Sequence, residues 1–270
     1  MRILLTNDDG IFSPGLLALW SLLSETAEVT VVAPEAEQSC CAHGITLNRP
    51  VMCHRIERDG VFFGYGLDGT PADCVKIALA ELMPEKPDLI VSGINPAGNA
   101  GTYVLYSGTV AAAVEGTMAG VRSVAVSISH RPGTHGQSGP DFVRAADLVM
   151  PIIQKIQGLP ESVGLAFNIN LPADLGPVRG VKVARQSCLA PAEVYVRRSD
   201  PRGRLYFWIG GDKSHHMTFE PDSDRTALAE GWITVTPLRC DLTNEQVLQK
   251  LSEVDWTQGP QDSSGSVVQP

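Results

Sequence analysis

Residues 1–10 read Met-Arg-Ile-Leu-Leu-Thr-Asn-Asp-Asp-Gly, and the architecture can be worked outward from them. Residues 2–6 are an unbroken, mostly aliphatic run, the pattern of a short strand buried on both faces. The run stops at Asn7, Asp8, Asp9 and Gly10, all residues that favour turns. Ser13-Pro14 then marks a helix start, with Ser as the cap and Pro at the first helical position. Leu16, Leu19, Trp20 and Leu23 follow at helical spacing, and residues 28–33 return to a β-branched, aliphatic strand pattern.

The alternation continues down the chain. Thr70-Pro71 repeats the cap-and-proline signal ahead of a helix over 72–82. Residues 88–92 are a third buried strand. Residues 109–118 form a helix of small residues, with Ala111, Ala112 and Ala113, able to approach a sheet closely. A strand at 123–127 and an amphipathic helix at 141–156 follow. Strands alternating with helices predict an α/β fold, a mostly parallel sheet with helices on both faces. From about residue 165 the texture changes to extended segments at 165–171, 178–184, 193–196, 205–209 and 232–236. Asp200-Pro201-Arg202-Gly203 is the turn of a hairpin. This hairpin-rich part, about 165–240, can pack on the first half or reach a partner subunit. Residues 244–254 read as a terminal helix, and 257–270, rich in Ser, Gly and Gln, as a flexible polar tail. One domain over 1–256 is therefore expected, with the glycine-containing stretch 130–139 as a mobile loop that could cover a site.

Composition narrows the function. The 270 residues are 43% hydrophobic and 19% charged, which excludes a globally disordered chain. No apolar run reaches about 18 residues, so no membrane span is expected. The opening apolar stretch ends too early for a secretory signal, which makes a cytoplasmic location the expectation. Twenty-one Lys and Arg against 30 Asp and Glu give a net charge of −9 with no block of like charge. That argues against a nucleic-acid polymer as partner. An anionic ligand would have to be drawn by a bound metal or by oriented backbone N–H groups. Cys40, Cys41, Cys53, Cys74, Cys188 and Cys240 contain no C-x-x-C pair and read as free thiols, most of them buried.

In an open parallel sheet, ligands bind at the carboxyl ends of the strands near the point where the strand order reverses. The first strand delivers Asp8 and Asp9 there, with Gly10 permitting a sharp turn that aims both carboxylates at one point. Paired acids with no nearby cation suit a hard divalent ion; a solvated turn fits the same residues. After the second strand comes Ser39, which is also a turn or capping residue. After the third come Ser92-Gly93-Ile94-Asn95-Pro96-Ala97-Gly98-Asn99-Ala100-Gly101, either an ordinary Gly/Asn turn or backbone bent around a ligand. Ser107-Gly108-Thr109 opens the small-residue helix, as a plain cap or as a phosphate cradle of free N–H groups and hydroxyls. All four segments fall on the same predicted edge.

These segments together closely resemble the SurE family, metal-dependent 5′/3′-nucleotidases. The resemblance is carried by M-R-I-L-L-T-N-D-D-G at 1–10, V-V-A-P before Ser39 and G-T-P-A-D-C-V at 69–75. V-S-G-I-N at 91–95 and Y-S-G-T-V-A-A-A-V-E-G at 106–116 add to it, and the similarity runs to about residue 245. It implies that Asp8, Asp9, Ser39 and Asn95 hold one divalent ion, Mg or Mn. It places Asn99, Ser107, Gly108 and Thr109 in a phosphate pocket. It further implies a Rossmann-like domain with a hairpin arm exchanged in a homodimer or homotetramer, nucleoside monophosphates as substrates, and short polyphosphate as a possible further one. The chain departs from the family pattern at Ala97, Cys40, Cys41 and Tyr103.

The reaction expected is hydrolysis of a phosphomonoester by attack of water at the metal, with Asp9 doubling as the base that orients the water. Ser107 as a covalent nucleophile is the alternative, though no His or Lys adjoins it in sequence. His43, His130 and His135 are candidate acids for the leaving group. A haloacid-dehalogenase-type phosphatase fits poorly, since that chemistry wants its two acids separated by one residue. A non-catalytic nucleotide-binding module lacks the G-x-G-x-x-G loop after the first strand.

Overall fold

The computed structural model describes residues 1–129, 140–160, 166–189, 193–212 and 219–256. The stretch 130–139, with His130 and His135, and the tail 257–270 lie outside the described residues. The chain divides into two units, Met1–Leu238 and Arg239–Pro270. In the second, the helix Glu245–Ser252 is capped by Asn244, whose side chain accepts from Val247 N at 3.1 Å.

The first unit is built on β1 (Arg2–Thr6), α1 (Pro14–Leu23), β2 (Glu28–Pro34), β3 (Cys53–Arg58), β4 (Val61–Leu67), α2 (Pro71–Ile77), β5 (Leu89–Asn95) and α3 (Gly108–Met118). It continues through β6 (Ser123–Ile128), α4 (Phe142–Gln157), β7 (Ala166–Leu171), β8 (Val181–Val183), β9 (Glu193–Ser199), β10 (Leu205–Asp212), α5 (Asp224–Ala229) and β11 (Ile233–Leu238). Among the described residues nine strands form one sheet in the order β3-β4-β2-β1-β5-β6-β7-β11-β8. The six from β4 to β7 run parallel; β3 lies antiparallel on β4, and β11 antiparallel on β7. The α/β sandwich expected from the sequence is thus the architecture found, and β9 and β10 form a separate antiparallel hairpin.

The burial of β1 on both sides follows from its aliphatic side chains. Ile3 and Leu5 join one core with Leu16 and Leu19 of α1 and Val149 and Ile153 of α4. Leu4, on the opposite face, joins Val75 of α2 and Ala112 of α3. With β2 on one side of β1 and β5 on the other, the strand order reverses at β1, and this opens a crevice at its carboxyl end. The described residues include no helix long and apolar enough to cross a membrane.

Four features differ from the sequence reading, the first being that of the six cysteines only Cys74 is buried, with Cys40, Cys53, Cys188 and Cys240 exposed. The β3–β4 hairpin was not anticipated, although Asp59-Gly60, with φ of 54° and 75°, is a strong two-residue hairpin signal. The helix expected over 72–82 is α-helical only to Ile77 and continues as a π-helical turn, Ala78–Leu82. Strand β5 runs on past Ser92 to Asn95, with a register shift against β6 between those residues, so Asn95 ends a strand instead of lying in a loop.

Candidate metal and phosphate site

The turn after β1 is held from beneath. Asn7 is fully buried; its Nδ2 donates to Gly10 O at 3.0 Å and to Ser13 Oγ at 2.6 Å. Ser13 Oγ in turn accepts from Leu16 N at 3.3 Å, which couples the acidic turn to the cap of α1. The carbonyl of Asp8 accepts from Gln38 N at 2.7 Å and draws the segment after β2 alongside.

Asp8 is nearly sealed at 5% exposure, and one of its carboxylate oxygens accepts from the Thr109 hydroxyl in the first turn of α3. The approach depends on glycine: a Cβ at Gly108 would lie 2.9 Å from both Asp8 Cβ and Cys41 Sγ. Burial pushes the Asp8 carboxyl above the usual range, against hydrogen bonds from Thr109 and from its own backbone. Asp9 is half-buried, and its Oδ2 is buried with no hydrogen-bond partner among the described residues. Burial, then the charge of Asp8, then that of Glu37 push its pKa to about 7. The structure therefore brings two desolvated carboxylates together with only negative charges reaching the second.

Asn95 stands at the end of the adjacent strand, 9% exposed, with its Nδ2 donating to the Ala97 carbonyl. That bond orients the side-chain amide and leaves Oδ1 as its donor to a cation. Ser39 is exposed, and its hydroxyl donates to the Glu37 carboxylate; no hydrogen bond joins it to Asp8 or Asp9. Ser107 caps α3, its Oγ accepting from Val110 N at 3.1 Å, so the hydroxyl proton and the Gly108 N–H stay available at the helix N-terminus. Asn99 is tied into a buried network. Its backbone N–H donates to Asn170 Oδ1 at 2.7 Å, its Nδ2 to Ser127 Oγ at 2.9 Å, and its carbonyl accepts from Asn168 Nδ2 at 2.8 Å.

Several of these partners escaped the sequence reading. Asn168 and Asn170, in the alternating Phe167-Asn168-Ile169-Asn170 of β7, are both fully buried; two amides facing inward in a covered strand were the available signal. Cys41 faces Asp8 and Gly108, and burial, then the Asp8 charge, push its thiol to about 11, so it is protonated at neutral pH. Cys40 and Ala42 adopt left-handed φ of 56° and 52°, which explains why small residues or glycine suit this loop. His43 Nε2 lies 2.9 Å from Glu115 Oε2, and Lys76 Nζ lies 3.1 Å from the other oxygen of that carboxylate. His43 thus pins its loop to α3.

The donor set fits a hard divalent cation. Asp9 Oδ2 is an orphaned buried oxygen, both carboxylates are raised by desolvation, and Asn95 Oδ1 and Ser39 Oγ are neutral oxygens of the kind Mg²⁺ and Mn²⁺ accept. Among the described residues no cluster of three His, Cys, Asp or Glu side chains could hold a metal, so any ion here relies on those neutral oxygens.

Comparison with known proteins bears on the chain as a whole. The family model described as Survival protein SurE matches residues 3–191. The 5′-nucleotidase SurE of Syntrophus aciditrophicus is 46% identical, over 93% of this chain and 92% of that protein. The 5′-nucleotidase SurE of Syntrophobacter fumaroxidans is also 46% identical, over 94% and 99%. The crystal structure of the SurE protein from Aquifex aeolicus superposes with a TM-score of 0.78 at 36% identity, covering 93% of this chain and 98% of that one. With a family match across most of its length and a shared fold, the chain belongs to the SurE family.

Proposed function

We propose that the chain is a divalent-metal-dependent 5′-nucleotidase that hydrolyses nucleoside monophosphates to nucleoside and phosphate. The observation that carries this is the adjacent carboxylates of buried Asp8 and half-buried Asp9, the buried Oδ2 of Asp9 unpartnered among the described residues and Asp8 set against the N-terminus of α3. The name 5′-nucleotidase SurE shared by its relatives supports the same reading. Asp8, Asp9, Asn95 and Ser39 would hold one Mg²⁺ or Mn²⁺, with Ser39 leaving Glu37 to do so. When bound, the ion polarises a phosphoryl oxygen and makes a coordinated water more acidic.

The remaining work belongs to the chain. Gly108 N–H and the Ser107 hydroxyl donate to phosphoryl oxygens, aided by the helix dipole. Thr109 holds Asp8 in place, and Asn99 shapes the pocket wall through its buried network. Asp9, beside Asp8 at the carboxyl end of β1, orients the attacking water and takes its proton. A covalent Ser107 is not favoured, because its Oγ makes no hydrogen bond to a base among the described residues. A module that only binds nucleotides would not need two desolvated carboxylates at the phosphate.

The reading extends to 3′-monophosphates and short polyphosphate as further substrates, to a single nucleotidase domain over 1–256, and to a cytoplasmic setting. It extends also to a homodimer or homotetramer built through the β9–β10 hairpin; the exposed Tyr195, Tyr206, Phe207, Trp208 and Ile209 there support it. The test is release of phosphate from adenosine 5′-monophosphate with Mn²⁺ and with EDTA, followed by an acid quench. Metal-dependent release without a phosphorylated protein is expected. Turnover in EDTA would overturn the metal assignment, and a trapped phosphoserine would overturn direct attack by water.

A further inference from the structure

A cavity of ≈ 480 Å³ opens beside Asp9 and is lined by neither Asp8 nor Gly108. Its size falls within the roughly 300–1,000 Å³ of small-molecule pockets. Asp9, Glu35 and Glu37 contribute carboxylates, one oxygen of Glu35 being met by His54, and Phe12, Pro96 and Phe142 contribute apolar walls; among the described residues no Lys, Arg or His lines it. The lining therefore repels a second phosphate while offering acceptors to hydroxyl and amino groups.

Phe12 is the unusual member. The residue is 60% exposed, although the backbone on either side is fixed. Ile11 is fully buried and donates its N–H to Pro34 O at 2.8 Å, and Ser13 N donates to Gly10 O at 2.9 Å. A large aromatic ring presented on a tied turn, beside the site of phosphate chemistry, loses little conformational freedom on meeting a flat ligand. In proteins that bind single-stranded nucleic acid, such exposed aromatics serve as platforms on which bases stack.

We propose that this cavity receives the nucleoside, with the base stacked on Phe12 and ribose hydroxyl or exocyclic amino groups donating to Glu35 and Glu37. The proposal rests on the nucleotidase reading and adds the residue that recognises the base. Purines, with the larger stacking face, are preferred over pyrimidines.

The test compares kcat/KM for adenosine 5′-monophosphate and for ribose 5-phosphate, which lacks the base, in wild type, Phe12→Ala and Phe12→Trp with Mn²⁺. The ratio of the two is expected to fall about tenfold in Phe12→Ala, through KM, and to recover in Phe12→Trp. Adenosine, as a competitive inhibitor of ribose 5-phosphate hydrolysis, is expected to bind about tenfold more weakly to Phe12→Ala. An unchanged ratio or an unchanged inhibition constant would overturn the proposal while leaving the nucleotidase reading in place. Failure of the wild type to hydrolyse either compound would overturn that reading and the stacking proposal with it.

Discussion

Replacing Asp9 with Asn separates the cost of the acidic pair from its use. In the metal-free protein the Asp9 carboxyl has its pKa raised from 3.8 to about 7, by burial first and then by Asp8 and Glu37. Because the folded value lies above the unfolded one, this group's contribution to stability is complete below about pH 3.8 and is lost as the pH rises to about 7. The difference is roughly three decades in proton affinity, at about 1.36 kcal/mol each, so the ceiling is about 4 kcal/mol. Asp9 is only half-buried, and water screens part of this, leaving about 1.5–2 kcal/mol. The neutral, isosteric Asn avoids that cost. In EDTA at pH 8, Asp9→Asn should therefore melt about 3–7 °C above wild type. The gap should narrow as the pH falls toward 5. Mn²⁺ at about a hundred times its dissociation constant should add about 2.7 kcal/mol to wild type and nothing to the variant. The assay is thermal unfolding followed by circular dichroism at pH 5, 6.5 and 8, with EDTA or Mn²⁺. A variant less stable than wild type in EDTA at pH 8, or one that still gains on Mn²⁺, would refute the reasoning.

Gly108→Ala forces a Cβ to within 2.9 Å of Asp8 Cβ and Cys41 Sγ, so it should cost about 1–3 kcal/mol and lower kcat/KM more than tenfold; thermal melts and Mn²⁺-dependent phosphate release check both. Cys40→Gly relieves a left-handed φ of 56° at an exposed position and should gain about 0.5–1 kcal/mol in urea unfolding. Asp73 accepts from Thr46 N at 3.0 Å, Thr46 Oγ1 at 2.6 Å and Thr70 N at 2.9 Å. Burial opposes its ionisation, but those bonds outweigh it and hold its pKa below 3.8. A depressed folded pKa contributes stability above about pH 3.8 that is lost as the pH falls through the folded value. Asp73→Asn should thus cost about 2 kcal/mol at pH 7, and less as the pH drops below about 4, measured by denaturant titration across pH.

The parts of this molecule that are local in sequence were legible in it. The aliphatic run 2–6, the Ser13-Pro14 and Thr70-Pro71 caps and the small-residue helix each announce themselves within a few residues, and each forms as read. What was not legible depends on approach between distant segments. Thr109 reaches Asp8 across 101 positions, and no spacing rule predicts it. Cys41 meets Gly108 only because the loop after β2 folds back over α3. The Asn168–Asn170 pair carried a readable signal, inward amides in a buried strand, but its partner Asn99 emerges only once β7 lies beside β6. Ser39 shows the limit from the other side: sequence could nominate it, while its hydroxyl rests on Glu37.

The central claim is that Asp8, Asp9, Ser39 and Asn95 close around one cation at the carboxyl end of β1. Anomalous diffraction at the manganese edge from a crystal soaked in Mn²⁺ tests it most directly. The account predicts a single strong peak within coordination distance of both carboxylates and Asn95 Oδ1, with the Ser39 hydroxyl turned from Glu37 toward the metal. A peak at another place on the chain, or none between Asp8 and Asp9, would contradict it.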